Sequence, residues 1–473
     1  MNPVLNTDSY KTSHYLQYPP DTAHVFAYME SRGGVFPHTV FFGLQAILKA
    51  EFLNPVTRAD IAEARDILAA HGTPFNEAGW LRLIEKHGGR LPIEIRACPE
   101  GRVVPVANVL MTVVNTDPEF FWLTSYVETA LLRVWYPVTV ATISWHVRET
   151  IAAALAQTAE NPVDGLAFRL HDFGARGVSS VQSAALGGMA HLVSFCGTDT
   201  LAALLAARDF YHAPMAGFSI PAAEHGTITS WGRAGECDAY ANMIAQFGRP
   251  GALFAVVSDS YDIFRAIDHL WGEALRERVI ESGATLVVRP DSGDPVETVA
   301  KTLEILAARF GADVNGKGYR VLRYVRVIQG DGVNPDSISA ILRRIIADGF
   351  SAENLSFGMG GALLQRLDRD TQQFAYKTSA VRVAGQWRAV YKDPVTDPAK
   401  RSKRGLLGLV DKPDFATVTV DGEAFQPLDG GVNVLRPVYR DGALLVDESF
   451  ETVRARAVKA SAQLVNQPCS FAR

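Results

Sequence analysis

Polar residues that could do chemistry recur in short clusters, each of which follows an apolar run of strand length. His225 lies in "SIPAAEHG", Arg289 and Asp291 lie in "VVRPDSGDP", and Asp331 lies between two glycines in "VIQGDGV". An arginine suits phosphate, and a carboxylate suits sugar hydroxyls or magnesium. Together these residue types predict a site for a phosphorylated sugar with Mg²⁺.

Each cluster also allows a structural interpretation. His225 could be a buried histidine that caps the next helix, and Arg289 and Asp291, two residues apart in extended chain, could form a local ion pair. Asp331 and its flanking glycines could form a tight turn, although glycine also lets backbone approach a ligand closely. Residue types alone therefore do not decide between a site and ordinary turns.

A glycine-rich cluster, "FGMGGALLQRLDRD", places Gly358, Gly360 and Gly361 directly before an amphipathic helix. Backbone N–H groups at a helix N-terminus suit phosphate, and we expect Arg369 about two turns further along the same helix. A sugar-phosphate isomerase, an aldolase or a glycosyl transferase would all fit these clusters. A Schiff-base aldolase would need a lysine in one of them, and they contain none.

The elements that must position these clusters repeat from about residue 166 to about residue 382. Each apolar run ends in a polar tip, such as "LHDFGARG", "FCGTDT" or "VVSDSYD", and a helix-like segment follows. Strands that alternate with helices imply a parallel sheet, and this many units favour an irregular (β/α)-barrel over residues 151–385. In such a barrel the loops after the strands line one pocket.

The flanking segments follow another pattern. Residues 1–150 mix helices with short strands, and residues 386–473 contain short strands with turns. We expect the two segments to pack together as a second, α+β domain beside the barrel.

Composition excludes several function classes. The 473 residues carry a net charge of −5, which gives no global field for nucleic acid or an anionic membrane. The most apolar stretch, 120–145, is interrupted by Glu128, Arg133 and Pro137, so it predicts buried core rather than a membrane span. The four cysteines form no C-x-x-C pair, which fits a reducing cytoplasm.

Many stretches in order, among them "TDSYKTSHYLQYPP", "LHDFGARGVSS", "PAAEH", "RPDSGDP", "VIQGDGV" and "YKDPVTDPAKRSKRG", closely resemble the type II phosphoribosyltransferases, in particular their nicotinamide-using branch. The likeness runs almost end to end. It implies transfer of phosphoribosyl from phosphoribosyl pyrophosphate to nicotinamide, with nicotinate as the nearest alternative base. It further implies Mg²⁺, coupled ATP hydrolysis, and a homodimer with shared active sites.

The resemblance also implies roles at the base. Phe173 and Tyr10 of the partner subunit would sandwich the pyridine ring, and Asp199 would face the carboxamide. A carboxylate there can accept hydrogen bonds from an amide NH₂ but would repel nicotinate, so we expect a preference for nicotinamide. Two positions depart from relatives, because Ala255 and Ala175 replace a serine and a tyrosine.

The remaining implied residues concern the phosphates and ATP. His225 would be phosphorylated by ATP, with Asp259 as its orienting carboxylate. The pyridine nitrogen has a free lone pair, so attack on the ribose needs no general base, and catalysis falls to carboxylates, arginines and metal. The groups implied at the ribose and phosphates are Arg176, Arg289, Asp291, Gly330, Asp331, Gly360, Gly361 and Arg369, with Lys392 and Lys400 from the neighbouring subunit.

Overall fold

The computed structural model describes residues 2–396, 401–411, 415–422 and 424–465, with side chains up to residue 460. Two compact units account for the chain. Of the described residues, those within 1–142, 209–212 and 368–457 form the terminal unit, and those within 143–208 and 213–367 and from residue 458 form the barrel unit.

The barrel unit is built on a six-stranded sheet in which all neighbouring strands run parallel. In spatial order its strands are Gly197–Thr198, Leu170–Asp172, Leu355–Met359, Val325–Gln329, Thr285–Arg289 and Leu253–Val257. The segment 218–222 makes one isolated parallel bridge to each edge strand, Phe218 to Gly197 and Ala222 to Ala255. The segment 218–222 therefore joins the two edges of the sheet and closes it into a barrel. The predicted irregular (β/α)-barrel is confirmed.

Helices follow the strands of the barrel unit, and side-chain caps set where two of them begin. Asp294 caps the helix Pro295–Phe310, and Asn334 caps the helix Pro335–Ala347, each with proline at the first position. The other α-helices are Val181–His191, Leu201–Tyr211, His225–Thr229, Glu236–Phe247, Ile263–Arg265, Arg276–Ser282 and Gly361–Leu364, with a π-helix at Ala266–Ala274. A hairpin, Ala312–Val314 with Arg320–Leu322, and 3-10 turns at Leu166–Phe168, Ala175–Gly177, Arg233–Gly235 and Ala352–Asn354 complete the unit.

The terminal unit is built on a seven-stranded antiparallel sheet with strands from both ends of the chain. In spatial order they are Gln386–Ala389, Phe374–Val383, Thr22–Ser31, Val109–Asn115, Ile93–Ala97, Arg436–Arg440 and Ala443–Leu444. Two small sheets pair His38–Val40 with Val103–Pro105 and Leu407–Asp411 with Phe415–Thr419. The α+β domain expected from the two flanking segments therefore forms around one shared sheet.

Helices of the terminal unit cover the core of that sheet. The α-helices are Leu44–Glu51, Arg58–His71, Glu77–His87, Leu123–Tyr126, Glu128–Leu132 and Phe450–Val465, and Trp135–Thr158 begins here and continues into the barrel unit. The 3-10 helices are Pro3–Leu5, Ser9–Leu16, Pro118–Phe120 and Arg369–Gln372. Phe26, Tyr28 and Trp80 are among the largest fully buried side chains of the core.

The boundaries between units differ from those expected at residues 150 and 385. The structure divides the chain near residues 142 and 368. The strand Phe374–Val383 accounts for the second difference, because it pairs antiparallel with Thr22–Ser31 instead of extending the barrel. Within the described residues, we find no helix that is long and apolar enough to cross a membrane.

Candidate active site

The loops at the carboxyl ends of the barrel strands enclose a cavity of about 620 Å³, which we call the mouth cavity. Its lining contains nine of the residues predicted from sequence: Phe173, Arg176, Asp199, His225, Arg289, Asp291, Gly330, Gly360 and Gly361. These come from six different loops, which meet here because parallel strands end at one face of a barrel.

Arg289 and Asp291 form a bidentate ion pair in the mouth cavity. The Nε and Nη2 atoms of Arg289 each donate to an Asp291 carboxylate oxygen at 3.0 Å. A Cβ atom at Gly330 would lie 3.0 Å from the same guanidinium, so any larger residue there would press against the ion pair. The local ion pair considered from sequence is present, and it lies inside the cavity that also holds the other predicted groups.

His225 begins the short helix His225–Thr229 and contacts Asp259. The imidazole Nε2 lies 2.8 Å from an Asp259 carboxylate oxygen. The histidine side chain is 48% exposed, whereas that of Asp259 is 4% exposed. A proton on Nε2 shared with Asp259 leaves the Nδ1 lone pair free for an incoming electrophile.

A second cavity, of about 480 Å³, occupies the interior of the barrel, and we call it the inner cavity. Its walls include the apolar cluster of Ala255, Val287 and Ile328, against which Phe173 and Ile220 pack. Phe173, Asp199 and Arg289 line both cavities, so the two adjoin. The two alanines that replace a serine and a tyrosine of relatives line different cavities: Ala255 lines the inner cavity and Ala175 lines the mouth cavity.

Phe173 is held between a glycine and an arginine. A Cβ atom at Gly358 would lie 1.9 Å from the Phe173 ring, so the ring rests directly on the backbone of the strand Leu355–Met359. The guanidinium carbon of Arg289 lies 5.4 Å from the ring centroid, a cation–π contact. The aromatic face at the junction of the two cavities therefore has a fixed position.

Asp199 is oriented by two contacts that the sequence did not single out. The Ser219 hydroxyl donates to the Asp199 carboxylate at 2.5 Å, and the Asp199 backbone N–H donates to the carbonyl of Asp172 at 3.0 Å. Asp172 itself is fully buried and accepts from the Gly174 N–H at 2.7 Å. Burial raises the pKa of the Asp172 carboxyl, although the Gly174 hydrogen bond opposes this shift.

Three basic side chains line the inner cavity without having been predicted. Burial lowers the pKa of His171, although Asp199 opposes this shift, so the imidazole is neutral near pH 7. Burial also lowers the pKa of Arg169, to about 10, and that of Arg326. Both arginines lie at the amino ends of their strands. His171 lies in the polar tip "LHDFGARG" and Arg169 directly precedes it, but only the fold shows that they face the barrel interior.

The other predicted residues lie elsewhere. Asp331 follows Gly330 but is exposed and does not line the mouth cavity. Tyr10, which is 59% exposed, and Lys392 and Arg369 belong to the terminal unit. Lys400 lies outside the described residues.

The expectation that Arg369 continues the helix of the glycine cluster is wrong. That helix spans only Gly361–Leu364, and a separate 3-10 helix, Arg369–Gln372, begins after Asp368. The first helix already ends at Leu364, and the Asp368 carboxylate accepts from the backbone N–H groups of Asp370 and Thr371, so it caps a new helix.

Arg369 lines a cavity of about 500 Å³ within the terminal unit, together with Arg32, Lys377 and Glu128. Burial lowers the pKa of Lys377, Glu128 opposes the shift, and Arg32 and Arg369 add to it. An anion bound there would offset this crowding of positive charge. Neither Arg32, which follows the strand Thr22–Ser31, nor Lys377, which lies within the strand Phe374–Val383, was predicted from the sequence.

The described residues contain no group of three or more His, Cys, Asp or Glu side chains that could hold a metal ion. Mg²⁺ at phosphate sites is commonly held by one or two carboxylates together with the oxygens of the phosphates. Asp291 and Glu224 are carboxylates that line the mouth cavity. These residues fit a magnesium ion that is carried in largely by a phosphorylated ligand.

Comparison with known proteins agrees with this geometry. Residues 168–442 match the model of the nicotinate phosphoribosyltransferase (NAPRTase) family, and residues 2–95 match the N-terminal domain model of nicotinamide phosphoribosyltransferase. The chain is 60% identical to a nicotinamide phosphoribosyltransferase of Xanthomonas campestris over 96% of its own length and 98% of the relative's. It is 31% identical to a nicotinamide phosphoribosyltransferase of Acinetobacter baylyi, over 96% of its own length and 97% of the relative's.

Solved structures share the fold. A nicotinate-nucleotide pyrophosphorylase from Pyrococcus furiosus aligns with a TM-score of 0.60 at 16% identity, over 99% of this chain and 97% of that one. Human nicotinic acid phosphoribosyltransferase aligns with a TM-score of 0.55 at 18% identity, over 97% of this chain and 93% of that one. The chain therefore belongs to the nicotinate phosphoribosyltransferase family, whose members are pentosyl-transferring enzymes.

Proposed function

We propose that this enzyme transfers the 5-phosphoribosyl group from phosphoribosyl pyrophosphate to nicotinamide, giving nicotinamide mononucleotide and pyrophosphate in NAD salvage. The observation that carries the proposal is the junction of the two cavities. There an aromatic face, the carboxylate of Asp199 and the guanidinium of Arg289 line both the inner cavity and the mouth cavity. A flat heteroaromatic ring fits the first cavity, and a ribose with its phosphates fits the second.

The bond changes need few proton transfers. The pyridine nitrogen attacks the anomeric carbon of the ribose with its own lone pair, and the bond from that carbon to the pyrophosphate oxygen breaks. The transition state carries positive charge on the ribose and negative charge on the leaving group. Asp291 suits the first charge, and Arg289 and Arg176 suit the second. When bound, Mg²⁺ would neutralise part of the pyrophosphate charge.

Asp199 supports nicotinamide as the base. With Ser219 donating to one carboxylate oxygen at 2.5 Å, the other oxygen is free to accept from an amide NH₂. The carboxylate of nicotinate would meet a like charge at the same place. The deciding experiment compares kcat/KM for nicotinamide and nicotinate. Equal values, or a preference for nicotinate, would contradict the choice of base.

We further propose that ATP hydrolysis is coupled through His225. Nδ1 attacks the γ-phosphorus of ATP, ADP leaves, and Asp259 stabilises the imidazolium through Nε2–H. Water later hydrolyses the phosphohistidine. Incubation with γ-labelled ATP should give an acid-labile, base-stable phosphate that His225→Ala lacks. If the wild-type protein takes up no labelled phosphate, the proposed coupling to ATP is wrong. The phosphoribosyl transfer would still be tested separately, by nicotinamide turnover without ATP.

We propose a cytoplasmic homodimer with shared active sites. Val181 and Leu201, each 73% exposed, begin the helices that follow the Phe173 and Asp199 loops, so apolar surface flanks the mouth cavity. A second copy would cover this surface and present its Tyr10 to the bound ring. Mixing inactive Tyr10→Ala and Arg289→Ala subunits should restore about a quarter of the sites' activity if sites are shared. Unchanged inactivity would contradict sharing.

A further inference from the structure

Trp271 is a fully buried side chain in the π-helix Ala266–Ala274. Nine residues of π-helix are unusual, since π segments mostly occur as single turns and often lie beside functional sites. The π-helix is held from outside by Arg309, whose guanidinium pairs with Asp268 at 2.5 Å and Glu273 at 2.9 Å. These ion pairs hold the π-helix in place, and the π-helix directs the Trp271 side chain into the core of the barrel unit.

The indole of Trp271 makes a single hydrogen bond, and it reaches the residue next to Asp259. Nε1–H donates to the Ser258 hydroxyl oxygen at 3.1 Å, and that hydroxyl donates to the carbonyl of Val256 at 3.0 Å. The Ser258 backbone N–H donates to the carbonyl of Arg289 at 3.0 Å. Ser258 is fully buried and links the ends of two barrel strands at the point where Asp259 begins.

A second aromatic side chain fixes the plane of the indole. Tyr240 stacks on Trp271 with ring centroids 4.5 Å apart and an angle of 10° between the planes. The Tyr240 hydroxyl donates to Glu236 at 3.1 Å, and both residues are buried. Because the ring cannot tilt, the direction of the Nε1–H bond toward Ser258 is set before any ligand binds.

We propose that the hydrogen bond from Trp271 to Ser258 positions Asp259 against His225 for phosphoryl transfer from ATP, which makes Trp271 a positioning residue. This inference rests on the proposed coupling through His225. The His225 imidazole is half exposed, and the Asp259 carboxylate is the only side chain among the described residues that forms a hydrogen bond with its Nε2. A displacement of the Asp259 backbone therefore changes the imidazole orientation directly, and small misplacements of reacting groups slow reactions strongly.

The test is Trp271→Phe, which keeps an aromatic ring for stacking and removes the N–H group. We expect the rate of phosphohistidine formation from γ-labelled ATP to fall roughly three- to tenfold, the effect of one lost hydrogen bond. Nicotinamide turnover without ATP should change by less than about twofold. A general loss of structure would lower both rates together, so the ratio of the two separates positioning from stability.

Trp80→Phe is the matched control. Trp80 is also buried, but its Nε1 has no hydrogen-bond partner among the described residues, so the same substitution removes no bond. Ser258→Ala and the double variant complete a mutant cycle. If the two residues act through their shared bond, the double variant should resemble the more affected single variant.

The outcomes are distinct. Phosphohistidine formation in Trp271→Phe equal to that in Trp80→Phe, or additive effects in the double variant, would overturn the inference and leave the coupling intact. A wild-type protein that forms no phosphohistidine would overturn the coupling and this inference together. Selective loss in Trp271→Phe and Ser258→Ala, without additivity, would establish the role.

Discussion

The mouth cavity and the inner cavity are formed by the same strands of the barrel, yet their linings differ in composition. The mouth cavity is lined by charged side chains and glycines from the loops, including Arg289, Asp291 and His225. The inner cavity is lined largely by side chains within the strands, including Val287 and Ile328. Position along a strand thus separates a lining of charged groups and glycines from a largely apolar one, and only residues at the junction belong to both.

The largest expected loss of activity follows from replacing Arg289, which lies at the junction of the two cavities and pairs with Asp291 in the mouth cavity. Arg289→Ala leaves Asp291 without its ion-pair partner and removes a cation facing the leaving group. We expect kcat/KM for phosphoribosyl pyrophosphate to fall by about 10³-fold. Arg323→Ala, which breaks an exposed ion pair with Asp313 in the same unit, is the control and should leave the rate unchanged. Comparable rates for both variants would place the phosphates elsewhere.

Asp199→Ser should change selectivity more than overall rate. The carboxylate lies where the two cavities meet, and its removal ends the repulsion of nicotinate. We expect the nicotinamide-to-nicotinate ratio of kcat/KM to fall by about tenfold or more. An unchanged ratio would show that Asp199 does not face the substituent of the ring. Ser219→Ala should shift the ratio in the same direction by a smaller factor.

Gly358→Ala tests the aromatic face at the junction of the two cavities. The added methyl group would overlap the Phe173 ring and displace it from the backbone. We expect KM for the base to rise by about tenfold with a smaller change in KM for phosphoribosyl pyrophosphate. In a Phe173→Ala background the same glycine substitution should have little further effect. Equal increases in both KM values would show that the two cavities are not functionally separate.

The smallest effect concerns pH. The pKa of His171 is lowered in the folded protein by burial, with Asp199 opposing. Below about pH 6.5 the unfolded chain binds a proton at this position that the folded chain does not, so stability falls as the pH falls toward the lowered value. His171→Gln lacks this proton uptake. Its melting temperature should decrease less than that of the wild type between pH 7 and pH 5, and parallel curves would contradict the assignment.

Much of the mouth cavity was predictable, because its residues lie in short polar clusters after apolar runs. The pattern located Arg289 and Asp291 correctly at the end of a strand, and His225 at the joint between the irregular segment 218–222 and a helix. The helix expected to carry Arg369 was wrong, since local periodicity could not show that Asp368 starts a new helix. The inner cavity was not predictable in detail. Ser219 and Arg326 resemble ordinary strand residues, and their orientation depends on the twist and closure of the whole ring.

The sequence by itself determined the class of fold, the polar clusters and the family likeness, because strand and helix periodicities are local and chemically distinctive residues stand out at turns. Tertiary structure alone decided that Phe173 rests on Gly358 and that Ser219 orients Asp199. It also decided that Trp271 reaches Ser258 from a π-helix. Each of these contacts joins residues from different elements of the chain. Their separation in space depends on how strands pair and how helices pack against the sheet, and no local sequence pattern encodes this packing.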